Sequence, residues 1–297
     1  MPARIIDGKL LAERTRRDVA AGTAALRAAG KAVRLVAVLV GDSPAARVYA
    51  ENQAKSCAAV GIEYQLCELP ASISQREAVR EIARLNDDAS VTGIFLHTPL
   101  PAQLDVQQLQ YAINILKDVE GVNPANIGHL FYGQTIIAPC TAAAVIEMIE
   151  STGVPIKGAE VAVVGASRIA GRPIALLLTA RHATVTVCHI DTKETAAHTR
   201  AADMVVVAVG KPGLIGAADV KPGALVIDVG INRVEMQQAD GTMVTKTVGD
   251  VRYDEVAAVA GWISPVPGGV GPMTVAMLLK NTLRAARLVY GMGSHEC

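Results

Sequence analysis

Aromatic side chains are scarce. Two Phe, one Trp and six Tyr make up 3% of the 297 residues, so Ala, Val, Leu and Ile must fill any core, and the 51% hydrophobic share is large enough for a substantial one. Cysteine is also sparse. Cys57, Cys67, Cys140, Cys188 and Cys297 are scattered, odd in number and free of metal-ligand spacing, which argues against a disulfide framework and fits a reduced cytoplasm. Net charge is absent, with 28 Lys plus Arg against 28 Asp plus Glu. No global field draws the chain to nucleic acid or an anionic membrane, and neither is expected as a partner. No apolar run reaches membrane-span length; residues 35–40 and 204–209 are strand-sized. The N-terminal MPARIIDGKLLAERTRR meets charges too early for a signal peptide. A soluble cytoplasmic protein is expected.

What is present alternates strand and helix in two halves. Residues 34–41 (RLVAVLVG) form a continuous apolar run ending at Gly, as a buried parallel strand does. Residues 44–60 have helical composition, and 62–69 form a second strand. Ser74 opens a helix through Asn86, with Glu77 completing a capping box. A third strand, 91–96, runs into His97-Thr98-Pro99-Leu100-Pro101, a shaped loop because the prolines end both strand and helix. In the second half Thr141 is expected to cap a helix to about Ser151. Strands follow at 160–164, 183–189, 204–209 and 224–229, with a helix over 169–180. This pattern predicts an α/β fold containing a Rossmann-like, doubly wound parallel sheet. A long helix over 272–288 is expected to return to the first half. Residues 237–244 (QQADGTMV) carry hairpin-turn chemistry at Asp240-Gly241.

VAVVGASRIAGRP places Gly165, Ala166, Ser167, Gly171, Arg172 and Pro173 between a strand and a helix. The spacing is GxSxxxGxP rather than GxGxxG, but the physical logic is kept. Gly165 permits a tight turn, turn N–H groups can meet phosphate, and the helix N-terminus adds partial positive charge. In this context the segment is a cofactor site for NAD or NADP; in isolation it is also compatible with an ordinary Gly-rich turn. The next strand leads to Asp191, where an acidic residue can hold a ribose 2′-hydroxyl. A carboxylate there would disfavour the 2′-phosphate of NADP by about 1–3 kcal/mol, unless Arg168 and Arg172 offset it. Asp191 is otherwise a solvated loop carboxylate.

Several segments together resemble the methylenetetrahydrofolate dehydrogenase/methenyltetrahydrofolate cyclohydrolase family. They are Asp7-Gly8-Lys9, VGDSPAARVYAENQAKSCAAVGI, GIFLHTPLP, KDVEGVNPANIGHL, PCT, VVGASRIAGRP, VAVGKPG, VIDVGIN and SPVPGGVGPMTVAMLL, in the family's order from residue 5 to about 285. The resemblance implies two domains with a cleft between them. Residues 1–138 with 272–297 would form the folate-binding, catalytic domain, and 139–271 the Rossmann-like NAD(P)-binding domain. It implies a tetrahydrofolate derivative as substrate, NAD or NADP as cofactor, and a homodimer. It places Thr98, Pro99, Pro267, Gly268 and Gly269 at the substrate and Ile231 at the cofactor.

The resemblance also exposes departures. The family has Tyr followed four residues later by Lys; here Tyr49 is followed by Gln53. Lys55 is two positions further, about 200° around a helix, and is a poor substitute. The family's Gln before Leu-Pro-Leu-Pro is His97, and KDVDG is KDVEG, with Glu120 in place of the pterin-gripping Asp. Glutamine can neither carry a charge nor act as a base at neutral pH, so ordinary cyclohydrolase activity should be weak, absent or rewired. His97, oriented by a hydrogen bond from Gln53, could shuttle protons instead, or could serve only as a hydrogen-bonding group. Tyr49 is expected to pack against or orient the folate. Hydride transfer needs orientation more than a strong acid or base and can outlive loss of the lysine. Dehydrogenation of 5,10-methylenetetrahydrofolate is therefore expected. The alternatives are a folate-dependent one-carbon transferase or cyclase and a silent ligand-binding protein.

Overall fold

The computed structural model describes residues 2–237 and 242–292. In chain order its elements are β1 (Arg4–Ile5), α1 (Gly8–Ala28), β2 (Arg34–Val40), α2 (Pro44–Ala59), β3 (Glu63–Leu69), α3 (Gln75–Asp87), β4 (Gly93–Leu96), α4 (Val106–Ala112), α5 (Pro124–Phe131) and α6 (Cys140–Glu150). There follow β5 (Glu160–Val164), α7 (Gly171–Ala180), β6 (Thr184–Cys188), α8 (Thr195–Ala201), β7 (Met204–Val207), β8 (Leu225–Asp228), β9 (Asn232–Gln237), β10 (Met243–Val248), α9 (Tyr253–Ala257), β11 (Trp262–Ile263) and α10 (Val270–Val289). They divide into two compact units: Glu13–Cys140 with Ala276–Cys297, and Met1–Ala12 with Thr141–Val275.

The first unit is built on a parallel sheet of order β3-β2-β4. Six of the seven β2 residues are buried, as expected for a central strand covered on both faces. Val36, Val38, Ile94 and Leu96 pack with Ile82 and Leu85 of α3 and Leu109 of α4. The helices start where the sequence signals them. Ser43 accepts the N–H of Ala46 with Pro44 in the first turn, and Ser74 and Glu77 form a capping box. The buried Lys117 closes the far end of α3, donating to the carbonyls of Leu85, Asn86 and Asp88 at 3.2, 2.6 and 2.8 Å. The later part of α10 belongs to this unit, and Asn281 there donates to the carbonyls of Val119 and Ala138, both at 2.9 Å. The chain leaves β2 for β3 on one side and returns to β4 on the other. This sheet therefore has a switch point at the C-terminal ends of β2 and β4, a place where α/β folds bind ligands.

The second unit holds a six-stranded, wholly parallel sheet of order β1-β11-β8-β7-β5-β6. Residues 1–12, which the sequence had grouped with the first half, fall in this unit because β1 pairs with β11. Ala162, Val164, Val205, Val207 and Val226 form much of the core on one face. Here the switch point lies between β5 and β7. β9 and β10 make an antiparallel arm from Asn232↔Val248 to Gln237↔Met243; the expected turn at Asp240-Gly241 lies outside the described residues. Two helix starts differ from expectation. α6 already begins at Cys140, so Thr141 sits within its first turn rather than capping it. α7 begins at Gly171 rather than 169, because Ser167–Ala170 are used in a turn closed by the Ser167 hydroxyl. Among the described residues no helix is long and apolar enough to cross a membrane, and no group of three or more His, Cys, Asp or Glu is placed to hold a metal ion.

Candidate active site

In the first unit, α2 sets Tyr49 and Gln53 one turn apart on the same face. Tyr49 is 48% exposed, whereas Gln53 is 5% exposed; Lys55 points elsewhere and is exposed. His97 directly follows β4 at the switch point, and its N–H donates to Val38 at 2.9 Å. Phe95 and His97 are two residues apart and share a sheet face. Their ring centroids are 5.0 Å apart at 76°, and Tyr49 meets the imidazole edge-on at 5.6 Å and 86°. The expected hydrogen bond from Gln53 to His97 is not made. Both Gln53 amide atoms are buried without a protein partner. Instead, Nε2 of His97 faces the Tyr64 phenol oxygen at 3.4 Å. Tyr64 reaches it because the parallel β3–β2–β4 register puts Tyr64, Leu66, Phe95 and His97 on one face. Burial lowers the pKa of His97, favouring the neutral imidazole, and raises that of Tyr64. Tyr49 is also raised, by burial and then by Glu120 and Cys140.

Glu120 is brought to the same unit by a segment running beside β4, where Ile94 donates to the Lys117 carbonyl at 2.7 Å. Asp118 anchors this segment. It is buried and accepts hydrogen bonds from Asn123 N at 2.8 Å, Asn126 Nδ2 at 3.0 Å and Gly121 N at 3.1 Å. Burial nevertheless raises its pKa. Glu120 itself is pushed up to about 8, first by burial and then by Asp118, against a hydrogen bond from the Leu96 backbone. The shift favours the protonated carboxyl. Thr98 and Pro99 follow His97 on the surface, joined by a cis peptide bond. Cys140 and Cys188 are buried thiols with raised pKa values, which favour the unreactive protonated form.

In the second unit, Gly165 directly follows β5 with φ +116°, and a Cβ there would lie 2.2 Å from the carbonyl oxygen of Ala208, just after β7. A Cβ on Gly171 would lie 1.8 Å from the Gly165 oxygen. Both glycines are therefore required for the strand, turn and helix to close together. Ser167 accepts from Ala170 N at 3.2 Å and Gly171 N at 3.4 Å. The backbone N–H groups of Ala166, Ser167, Arg168 and Ile169 donate to no protein group among the described residues. This turn at a helix N-terminus has the donor set of an anion cradle. Arg168 and Arg172 are exposed beside it and Pro173 is buried in the first turn of α7. Beyond β6, the Asp191 side chain is 87% exposed, with Oδ2 3.9 Å from Nδ1 of His189.

The loop before α10 contains a cis Val266–Pro267 bond and Gly268 at φ +111°. Beneath it lies a cavity of about 160 Å³ lined in part by Asp228, Ile231, Thr247, Pro267, Gly268 and Gly269. Ile231 is 65% exposed. The Asp7-Gly8-Lys9 segment packs on this loop: a Cβ on Gly8 would lie 1.8 Å from the Gly269 carbonyl oxygen. Sequence reasoning missed Asp228 and Asp250, which order this region through backbone hydrogen bonds. Their signal was an acid within two residues of a glycine at the end of an apolar strand or hairpin. Tyr64 was missed as well, because only the sheet register brings it to His97.

A doubly wound parallel sheet with a glycine turn at its switch point defines a dinucleotide-dependent class of α/β enzyme. Within that class, the chain belongs to the tetrahydrofolate dehydrogenase/cyclohydrolase family: residues 6–120 match the family's catalytic domain and residues 139–290 its NAD(P)-binding domain. It is 50% identical over 284 residues to the bifunctional protein FolD of Rhodobacter capsulatus, covering 96% of this chain and 93% of the relative. The structure is similar to that of the bifunctional methylenetetrahydrofolate dehydrogenase/cyclohydrolase of Campylobacter jejuni, with a TM-score of 0.88 at 38% identity, covering 96% of this chain and 99% of the other. The Trypanosoma brucei methylenetetrahydrofolate dehydrogenase-cyclohydrolase, solved with NADP and an inhibitor, also has a TM-score of 0.88 at 38% identity, covering 97% and 98% respectively.

Proposed function

We propose that the protein oxidises 5,10-methylenetetrahydrofolate to 5,10-methenyltetrahydrofolate with NAD or NADP, and hydrolyses the methenyl product only weakly. The observation that carries the second part is Gln53. It occupies the position one turn after Tyr49 and has no protein partner, while the nearby Lys55 points elsewhere and is exposed. No ammonium group therefore reaches this position along α2, and an amide cannot take or give a proton at neutral pH. The buried imidazole of His97 is held neutral rather than charged, so it does not replace the missing positive charge.

The dehydrogenase part places lighter demands on the side chains. Nicotinamide supplies the hydride acceptor when the cofactor is bound. The turn at Gly165–Ser167 fits its pyrophosphate, because a side chain at Gly165 or Gly171 would fill the cradle and four backbone N–H groups there remain available. Arg168 and Arg172 stand by for further phosphate charge, and Asp191 is free to accept from a ribose hydroxyl. In the other unit, Tyr49 and His97 provide an aromatic edge and a ring nitrogen for the pterin, and Glu120 a carboxyl for its amino and ring N–H groups. Thr98 and Pro99 continue that surface.

The test is to incubate the purified protein with 5,10-methylenetetrahydrofolate and each cofactor, following reduced cofactor, methenyl and formyl products separately. Cofactor reduction with accumulation of the methenyl species is expected. Formyl product appearing as fast as cofactor is reduced would overturn the weak-hydrolase assignment, and no cofactor reduction would overturn the whole.

A further inference from the structure

The Tyr64 phenol meets the His97 imidazole at 3.4 Å, with the buried Cys57 thiol near Tyr64. His97 is 3% exposed and held by two aromatic edges, Phe95 at 5.0 Å and Tyr49 at 5.6 Å. Its ring makes one hydrogen bond to a protein group among the described residues, from Nε2 to Tyr64 at 3.4 Å. Nδ1 is left over. A neutral imidazole carries its proton on one nitrogen and a lone pair on the other, and the partner of one nitrogen sets the role of the other.

We propose that Tyr64 is a positioning residue: its phenol donates to Nε2 of His97, fixes the proton on Nδ1, and makes His97 present an N–H donor to the bound pterin. This rests on His97 lying at the folate site, as proposed above. The same geometry sets a limit on proton shuttling, because Nε2 is already engaged and Nδ1 already carries hydrogen. In this arrangement His97 offers a ligand a neutral N–H, the kind of group that an amide side chain would offer. The substitution of His for the family's Gln then preserves the donor, provided that Tyr64 occupies the second nitrogen. A histidine without such a partner would divide its proton between two positions.

Long-range ¹H–¹⁵N spectra of the free protein, with His97 assigned by His97→Asn, report the tautomer directly. One dominant Nδ1–H form is expected in the wild type. Tyr64→Phe keeps the ring and removes only the hydroxyl, and it should give a mixture of tautomers. The KM for folate in the dehydrogenase reaction should rise about fivefold, the loss of one neutral hydrogen bond to the bound pterin, with kcat nearly unchanged. His97→Asn, which keeps an amide donor near the Nδ1 position, should retain more dehydrogenase activity than His97→Leu. A wild-type spectrum dominated by the Nε2–H form would overturn the proposal even if Tyr64→Phe did not fold. So would a Tyr64→Phe spectrum unchanged from wild type. These spectra need neither substrate nor cofactor, so they fail or succeed separately from the cofactor-reduction assay.

Discussion

Asp228 and Asp250 are linked in series. Asp228 accepts the backbone N–H of Asp250 at 3.0 Å, and Asp250 in turn accepts those of Val209 and Gly210 at 2.7 and 2.8 Å. Asp228 also takes Val251 and Gly230, each at 2.9 Å, and Asp250 takes the Asn232 amide at 2.8 Å. Two buried carboxylates thus stitch the ends of β7 and β8 to the base of the hairpin arm. Asp250→Ala would leave three donors without partners, at about 1–3 kcal/mol for each one that stays buried. Urea denaturation should show a loss of about 3 kcal/mol or more. A loss below 1 kcal/mol would mean that these donors find other acceptors.

Gln53 invites the opposite experiment. Its amide is buried with neither end paired to protein, and replacing such a group by an apolar one of similar shape relieves a penalty of about 1–3 kcal/mol. Gln53→Met is expected to raise the unfolding midpoint of the free protein while weakening folate binding, because the amide is then lost to the ligand. A less stable variant would show that the amide is already satisfied. Gln53→Lys should behave differently, returning an ammonium to the site and increasing the yield of formyl over methenyl product.

Much of this was legible in the sequence because local chemistry and tertiary structure agree. Residues 34–41 had to be a central strand, since an apolar run of that length ending in Gly suits a doubly covered sheet. Ser74 and Glu77 announced α3 and make the box they promised. Gly165 and Gly171 marked the phosphate-type turn, and the near-contact distances explain why no side chain fits there. What stayed hidden depends on register. Tyr64 lies 33 residues before His97 and meets it only because three parallel strands align. Lys117, prominent in KDVEG, turned out to close the end of α3. Its role was unreadable because its acceptors are main-chain carbonyls, which leave no trace in side-chain identity.

Cofactor choice can be tested at Asp191. Its carboxylate is largely solvated, so its repulsion of a 2′-phosphate is screened and belongs at the low end of the like-charge range. Asp191→Ala is expected to raise the ratio of kcat/KM for NADP over NAD by about tenfold. The change should shrink at high salt. An unaltered ratio would place the ribose out of reach of this side chain and leave Arg168 and Arg172 in control of the preference.

Glu120 is expected to leave a pH signature on stability. Its pKa is pushed from 4.5 up to about 8, chiefly by burial. Between those values the folded protein keeps a proton that the unfolded chain releases, so stability falls as pH rises through this window and levels off above it. Glu120→Gln cannot ionise. The variant should gain stability relative to wild type as pH is raised from 5 to 9, seen as diverging urea midpoints. Folate binding should carry the same mark. Donors on the pterin call for an ionised acceptor, so binding near neutrality should release a proton, and calorimetry in buffers of different ionisation enthalpy should detect it. Parallel midpoints across the whole range would show that Glu120 is already ionised at neutral pH, and binding without proton release would show that the pterin does not use it.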